Sequence, residues 1–125
     1  AISIGGDPVI GSTYAELMPL FEADPATKAV VIYSEPGGAS EAELARWAQE
    51  NKSRLPIVAF VAGRFMDEMP GMSFGHAGTI VEKKLDSPAD KIRRMRAAGI
   101  SVADEIGDIP RLVQERLSGA AAAGA

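Results

Sequence analysis

His76 is the single histidine among 125 residues, and its neighbours are small: Gly75 before it, Ala77 and Gly78 after. A neutral imidazole so placed can attack phosphorus, or exchange a proton near neutral pH. On residue type alone, a loop histidine hydrogen-bonded for structure is the ordinary alternative. Glu35 lies 41 residues earlier and follows a run of apolar residues at 29–33. A carboxylate that accepts one ring N–H fixes the tautomer and leaves the other nitrogen able to react. A solvated turn acid or helix cap is the ordinary alternative. Asp7, in Gly5-Gly6-Asp7-Pro8, is a third acid of this kind, read as an Asx-type turn residue.

These residues need elements to bring them together, and the apolar pattern supplies them. Short apolar runs alternate with helical stretches, the signature of βα units and a parallel sheet. Strands are predicted at residues 2–4, 29–33, 57–61 and 100–102. A helix capped by Ser12 or Thr13 runs to about Glu22, with Leu17, Leu20 and Phe21 inward and Pro19 kinking or breaking it. Ser40 and Glu43 form a capping box for a second helix, ending near Lys52 and burying Leu44 with Trp47 or Ala48. Ser87-Pro88 opens a third, stopped by Gly99, and a fourth spans about 106–117. Residues 64–75, with three Met and two Phe and no sustained period, read as a long functional or partner-covered loop. Lys91, Arg93, Arg94 and Arg96 read as a solvated or subunit-contact face, and Glu82-Lys83-Lys84 as a solvated segment. One domain over residues 1–118, with a flexible small-residue tail at 119–125, is the natural division.

In open parallel sheets, ligands bind beyond the carboxyl ends of the strands. Three predicted strands leave through glycine there, although strand-to-helix turns require glycine for their own reasons and no Walker or dinucleotide fingerprint is present. Composition narrows the chemistry. There is no cysteine, and one histidine cannot make an imidazole-rich metal site, so no metal site is expected. A net charge of −4 argues against a nucleic-acid partner. No apolar run approaches the roughly 20 residues that cross a bilayer, and no signal peptide opens the chain. A cytoplasmic, soluble α/β domain is the expectation.

Taken together, Ile4-Gly5-Gly6-Asp7-Pro8-Val9-Ile10-Gly11-Ser12, Glu35-x-Gly37-Gly38, Val61-Ala62-Gly63 and Gly75-His76-Ala77-Gly78-Thr79-Ile80 resemble a known family. It is the carboxy-terminal CoA-ligase domain of succinyl-CoA synthetase α subunits, shared by NDP-forming acyl-CoA synthetases and ATP-citrate lyase. The resemblance implies a flavodoxin-like parallel sheet with helices on both faces. It implies that His76 is phosphorylated and dephosphorylated in each cycle, that Glu35 orients it, and that Gly37, Gly38, Gly75, Ala77 and Gly78 form the phosphate or substrate loop. For the complete enzyme it implies CoA, ATP or GTP, Mg2+ and a carboxylic acid, with no cofactor held by this domain alone. It further implies an oligomer with a CoA-binding Rossmann-like domain and a nucleotide-binding ATP-grasp β subunit or domain. The family domain begins with one further βα unit that this chain lacks, so the sheet is expected to be completed by another segment or chain.

Pro36 stands where the family has isoleucine, stiffening the turn after Glu35. Residues 81–86 replace a glycine-rich stretch, and 64–75 lack a Thr-Ala-Pro pattern, so ligases for acids other than succinate stay open. Two other readings remain: a non-catalytic domain that docks a partner subunit, and a flavodoxin-like module for a phosphate-bearing ligand. The paired His76 and Glu35 favour the ligase.

Overall fold

The computed structural model describes residues 1–5, 9–35, 39–63 and 87–123. Eight elements follow in order: α1 (Tyr14–Ala23), β1 (Val30–Ser34), α2 (Ser40–Asn51), β2 (Ile57–Val61), α3 (Pro88–Ala97), β3 (Ser101–Ala103), a 3-10 turn (Ile106–Asp108) and α4 (Ile109–Ala123). The strands form one parallel sheet in the order β1-β2-β3, with Val30 opposite Ile57, Ser34 opposite Val61 and Val102 opposite Ala59. This is the open α/β architecture that the alternation of apolar runs predicts.

Side chains alternate across the sheet, so each strand feeds two faces. Ile32, Ile57, Ala59, Val61 and Val102 meet Met18 of α1, Leu44 of α2 and Met95 of α3 in one core. On the other face α4 packs against β2 and β3, where Val58 and Ala103 are fully buried. That helix stops short of β1. Val31 and Tyr33 stay 51% and 55% exposed, and the Tyr33 ring rests at 5.7 Å from that of Phe60.

Local chemistry explains the element boundaries. Thr13 caps α1 in a reciprocal box with Glu16, which returns a bond to the Thr13 N–H at 2.8 Å. The helix continues through Pro19 to Ala23 rather than breaking there. Its inward stripe is Tyr14, Met18 and Phe21, while Leu20 points to solvent, because positions four and seven along share a face with Tyr14. The box expected at Ser40 does not form. Ala39 is the N-cap of α2 without a side-chain bond, its carbonyl accepting from the Ala42 and Glu43 N–H groups, so Ser40 already lies one position inside. Leu44 is fully buried, and Trp47 and Ala48 pack partly buried against the core, as expected. Ser87 caps α3, with Pro88 in the first turn, and Gly99 takes the positive φ of +79° that ends it.

Arg54 closes the connection from α1 to β1. Its guanidinium donates to the carbonyls of Phe21, Glu22, Asp24 and Thr27 at 2.8–3.2 Å. These include orphan acceptors at the helix end, which a fork of five N–H donors is suited to satisfy.

Two expectations differ at the ends of the described chain. Residues 2–4 are not a strand: no ladder partner lies beside them among the described residues, and Ile2 is exposed. The last helix continues beyond 117 to Ala123, taking in five residues assigned to the tail, because a run of alanine carries the highest intrinsic helix propensity. No helix among the described residues is long and apolar enough to cross a membrane.

Candidate functional site

β1 and β2 are adjacent and parallel, so the segments that leave them do so on one rim of the sheet. Ser34 faces Val61 in the register, and its carbonyl accepts the Ala62 N–H at 2.8 Å. Glu35 therefore leaves β1 beside Ala62 and Gly63 leaving β2. Gly63 turns the chain at φ +75°, a conformation that side chains resist. Glu35 is exposed at this rim. His76 and the loop residues Gly37, Gly38, Gly75, Ala77 and Gly78 lie outside the described residues, as do Asp7 and residues 64–75 and 82–84.

Immediately behind Glu35 sits a cluster that sequence reasoning missed. Ser34, Glu41 and Lys91 are the buried polar side chains among the described residues, and they meet one another. The Ser34 hydroxyl donates to Glu41 Oε1. Lys91 Nζ pairs with Glu41 Oε2 at 2.7 Å, with side chains 2% and 7% exposed, and donates to the Glu35 carbonyl at 3.2 Å. Lys91 is thus not part of a solvated basic face. A signal was present in the helical spacing. Lys91 shares its stripe with Pro88 and Met95, and Glu41 with Leu44 and Ala45, all buried. A charge inside an apolar stripe at positions i+3 and i+4 requires a buried partner.

Tyr14 closes the near side. Its hydroxyl donates to the Tyr33 carbonyl at 3.2 Å, on the edge of β1 that faces away from β2. Burial, with the negative charges of Glu41 and Glu35 adding to it, pushes its pKa up to about 12. A phenol whose folded pKa is raised contributes stability in full below its unfolded value near 10, lost as pH rises toward 12. Wild-type protein is therefore expected to lose melting temperature between pH 10 and 12 more steeply than Tyr14→Phe. Parallel curves would remove Tyr14 from the alkaline transition.

Among the described residues no group of three or more His, Cys, Asp or Glu side chains could hold a metal ion. A cleft of about 560 Å³ between α1 and α2 is lined by Pro19, Glu22, Trp47, Ser53 and Arg54. It opens where the chain enters β2, at the opposite end of the sheet from Glu35, so it is not part of this rim. Trp47 belongs to the core margin there.

The sequence and the fold have counterparts in known proteins. A family model described as CoA-ligase matches residues 1–101. The chain is 41% identical over 121 residues to the malate–CoA ligase subunit alpha of Methylorubrum extorquens, covering 97% of this chain and 40% of the relative. It is 38% identical over 109 residues to the ADP-forming succinate–CoA ligase subunit alpha of Staphylococcus epidermidis, covering 87% of this chain and 35% of that one. It thus spans about two-fifths or less of the length of these relatives. Among solved structures, ATP citrate lyase from Methanothrix soehngenii in complex with citrate and coenzyme A superimposes with a TM-score of 0.84 at 28% identity, over 96% of this chain and 20% of the other. The Methanosaeta concilii enzyme in complex with (3S)-citryl-CoA gives 0.82 at 29% identity, over 91% and 19%. The chain belongs to the CoA-ligase family, as a CoA-ligase domain of the kind found in succinate–CoA ligase alpha subunits and their NDP-forming relatives.

Proposed function

We propose that this domain carries the phosphoryl group of an NDP-forming acid–CoA ligase on His76, with Glu35 orienting the ring. The observation that carries the reading is the rim itself. Glu35 leaves β1 beside Ala62 and Gly63, which begin the segment that contains His76 in sequence, in a chain matching the CoA-ligase family along most of its length. Relatives bearing the names of malate, sulfoacetate and succinate ligases support the reaction class and leave the acid open.

The chemistry assigns each residue a task. Glu35 accepts one ring N–H of His76, which fixes the tautomer and offsets the charge that develops on the imidazolium. The other ring nitrogen attacks the terminal phosphorus of the nucleoside triphosphate. An N–P bond forms, the bridging P–O bond breaks, and the diphosphate departs with the electron pair. The substrate carboxylate next takes the phosphoryl group from His76, giving an acyl phosphate. The CoA thiolate attacks its carbonyl carbon and expels phosphate. The glycines at 37, 38, 75 and 78, with Ala77, leave the backbone able to approach these anions closely.

CoA, the nucleotide and its Mg2+ are assigned to the rest of the enzyme, a Rossmann-like domain and an ATP-grasp subunit or domain. The exposed strip of Val31 and Tyr33 on β1 supports a packed neighbour in that assembly, and so does the edge of that strand, which has no strand partner among the described residues. A purely docking role would use the same strip and would place no demand on His76. Complete enzyme incubated with ATP labelled on its terminal phosphate decides between them. Acid-labile, base-stable label on His76 is expected, and unlabelled protein in an active preparation overturns the ligase mechanism.

A further inference from the structure

We propose that Lys91 and Glu41 are positioning residues for Glu35, holding the chain where it leaves β1 through the bond from the Lys91 ammonium to the Glu35 carbonyl. The inference rests on the phosphohistidine reading above. Glu35 is the first residue beyond the ladder, so no ladder bond holds its carbonyl; the Lys91 ammonium donates to it at 3.2 Å, beside the Ser34 hydroxyl at 3.3 Å, which Glu41 also engages. The preceding residue is fixed twice, by the Ala62 N–H on the Ser34 carbonyl and by Glu41 on the Ser34 hydroxyl. Glu41 comes from the first turn of α2 and Lys91 from the first turn of α3, fifty residues apart, so Ser34 and Glu35 at the end of β1 are tied to two helices at once.

Stability alone does not explain charge at this place. An ion pair taken from water loses much of its hydration, and apolar residues of the same volume commonly serve a core as well or better. An apolar pair cannot, however, donate a hydrogen bond to a carbonyl outside the sheet. The ammonium can, and the carboxylate is what makes a buried ammonium tolerable. The Glu35 side chain departs from the backbone atom next to that carbonyl. A displacement of about 1 Å in such a supporting group can cost on the order of 100-fold in rate.

Lys91→Met alone would leave Glu41 buried and unpaired, and loss of folding would obscure its effect. The informative variant is Glu41→Leu with Lys91→Met, which removes the charges together. It is made in complete enzyme, in the wild-type background and with Glu35→Gln. Single-turnover labelling of His76 by ATP labelled on the terminal phosphate is the readout. The double variant is expected to melt close to wild type, to label about tenfold more slowly, and to keep its KM for the nucleotide. With Glu35→Gln already present, it should slow labelling no further. Equal slowing in both backgrounds would show an effect that bypasses Glu35 and overturn the proposal. So would a double variant that labels at the wild-type rate while Glu35→Gln is slow, an outcome that leaves the phosphohistidine reading standing. If Glu35→Gln itself labels at full rate, Glu35 has no orienting role and the proposal falls with it.

Discussion

Lys91→Met is expected to cost the folded domain about 3–5 kcal/mol, the range observed when one member of a buried ion pair is removed. Glu41 would remain in a site where its side chain is 7% exposed, keeping only the Ser34 hydroxyl of the partners described above. A carboxylate left in such a place must either stay charged without compensation or take up a proton. For a domain of this size, whose whole stability is typically about 5–15 kcal/mol, the loss would be a large share of the total. Glu41→Leu combined with Lys91→Met is expected to recover most of it. Chemical denaturation with urea measures both. A Lys91→Met unfolding free energy within about 1 kcal/mol of wild type would show that the pair is more hydrated than its burial indicates.

His76→Asn is expected to abolish the covalent label and to lower overall ligase turnover by at least about 10³-fold, the effect of deleting the nucleophile from a covalent pathway. Asparagine keeps a polar side chain of similar reach but has no nitrogen lone pair available for phosphorus. The sequence holds no other histidine, so no neighbouring imidazole of this domain can substitute. Glu35→Gln should slow labelling by about 100-fold, because an amide can hydrogen-bond the ring without offsetting its charge. Steady-state thioester formation and single-turnover labelling, measured side by side, separate the two effects. Retention of more than a few per cent of turnover by His76→Asn would remove the phosphohistidine from the main pathway.

The strands were legible because short continuous apolar runs mark parallel strands: residues 29–33 and 57–61 announce β1 and β2 to within a residue, although of the two only β2 is covered on both faces and β1 leaves Val31 and Tyr33 exposed. The α3 start was equally plain, since Ser87 and Pro88 act locally and the signal lies within one turn of chain. Residues 2–4 carry the same local signal without becoming a strand, because a strand is defined by its neighbour and not by its own residues. The Ser40 box failed by one position, a difference that local sequence does not resolve when Ala39 can begin the helix through its carbonyl. Glu35 was legible as a residue at a strand end. The Lys91 ammonium bonded to its carbonyl was not, because the two are 56 residues apart and their meeting depends on where α3 lies against the sheet. Their shared environment could be glimpsed only in the apolar stripes that flank Glu41 and Lys91.

The guanidinium of Arg54 has a further consequence for how the molecule opens. The stretch from Asp24 to Lys28 is a polar surface turn, and such turns are ordinarily where proteases cut and amide hydrogens exchange first. Here its carbonyls, with those ending α1, are held by a side chain one turn upstream of β2. Local fraying of that turn therefore requires release of a contact about thirty residues away, which joins an exposed loop to the cooperative unit of the central strand.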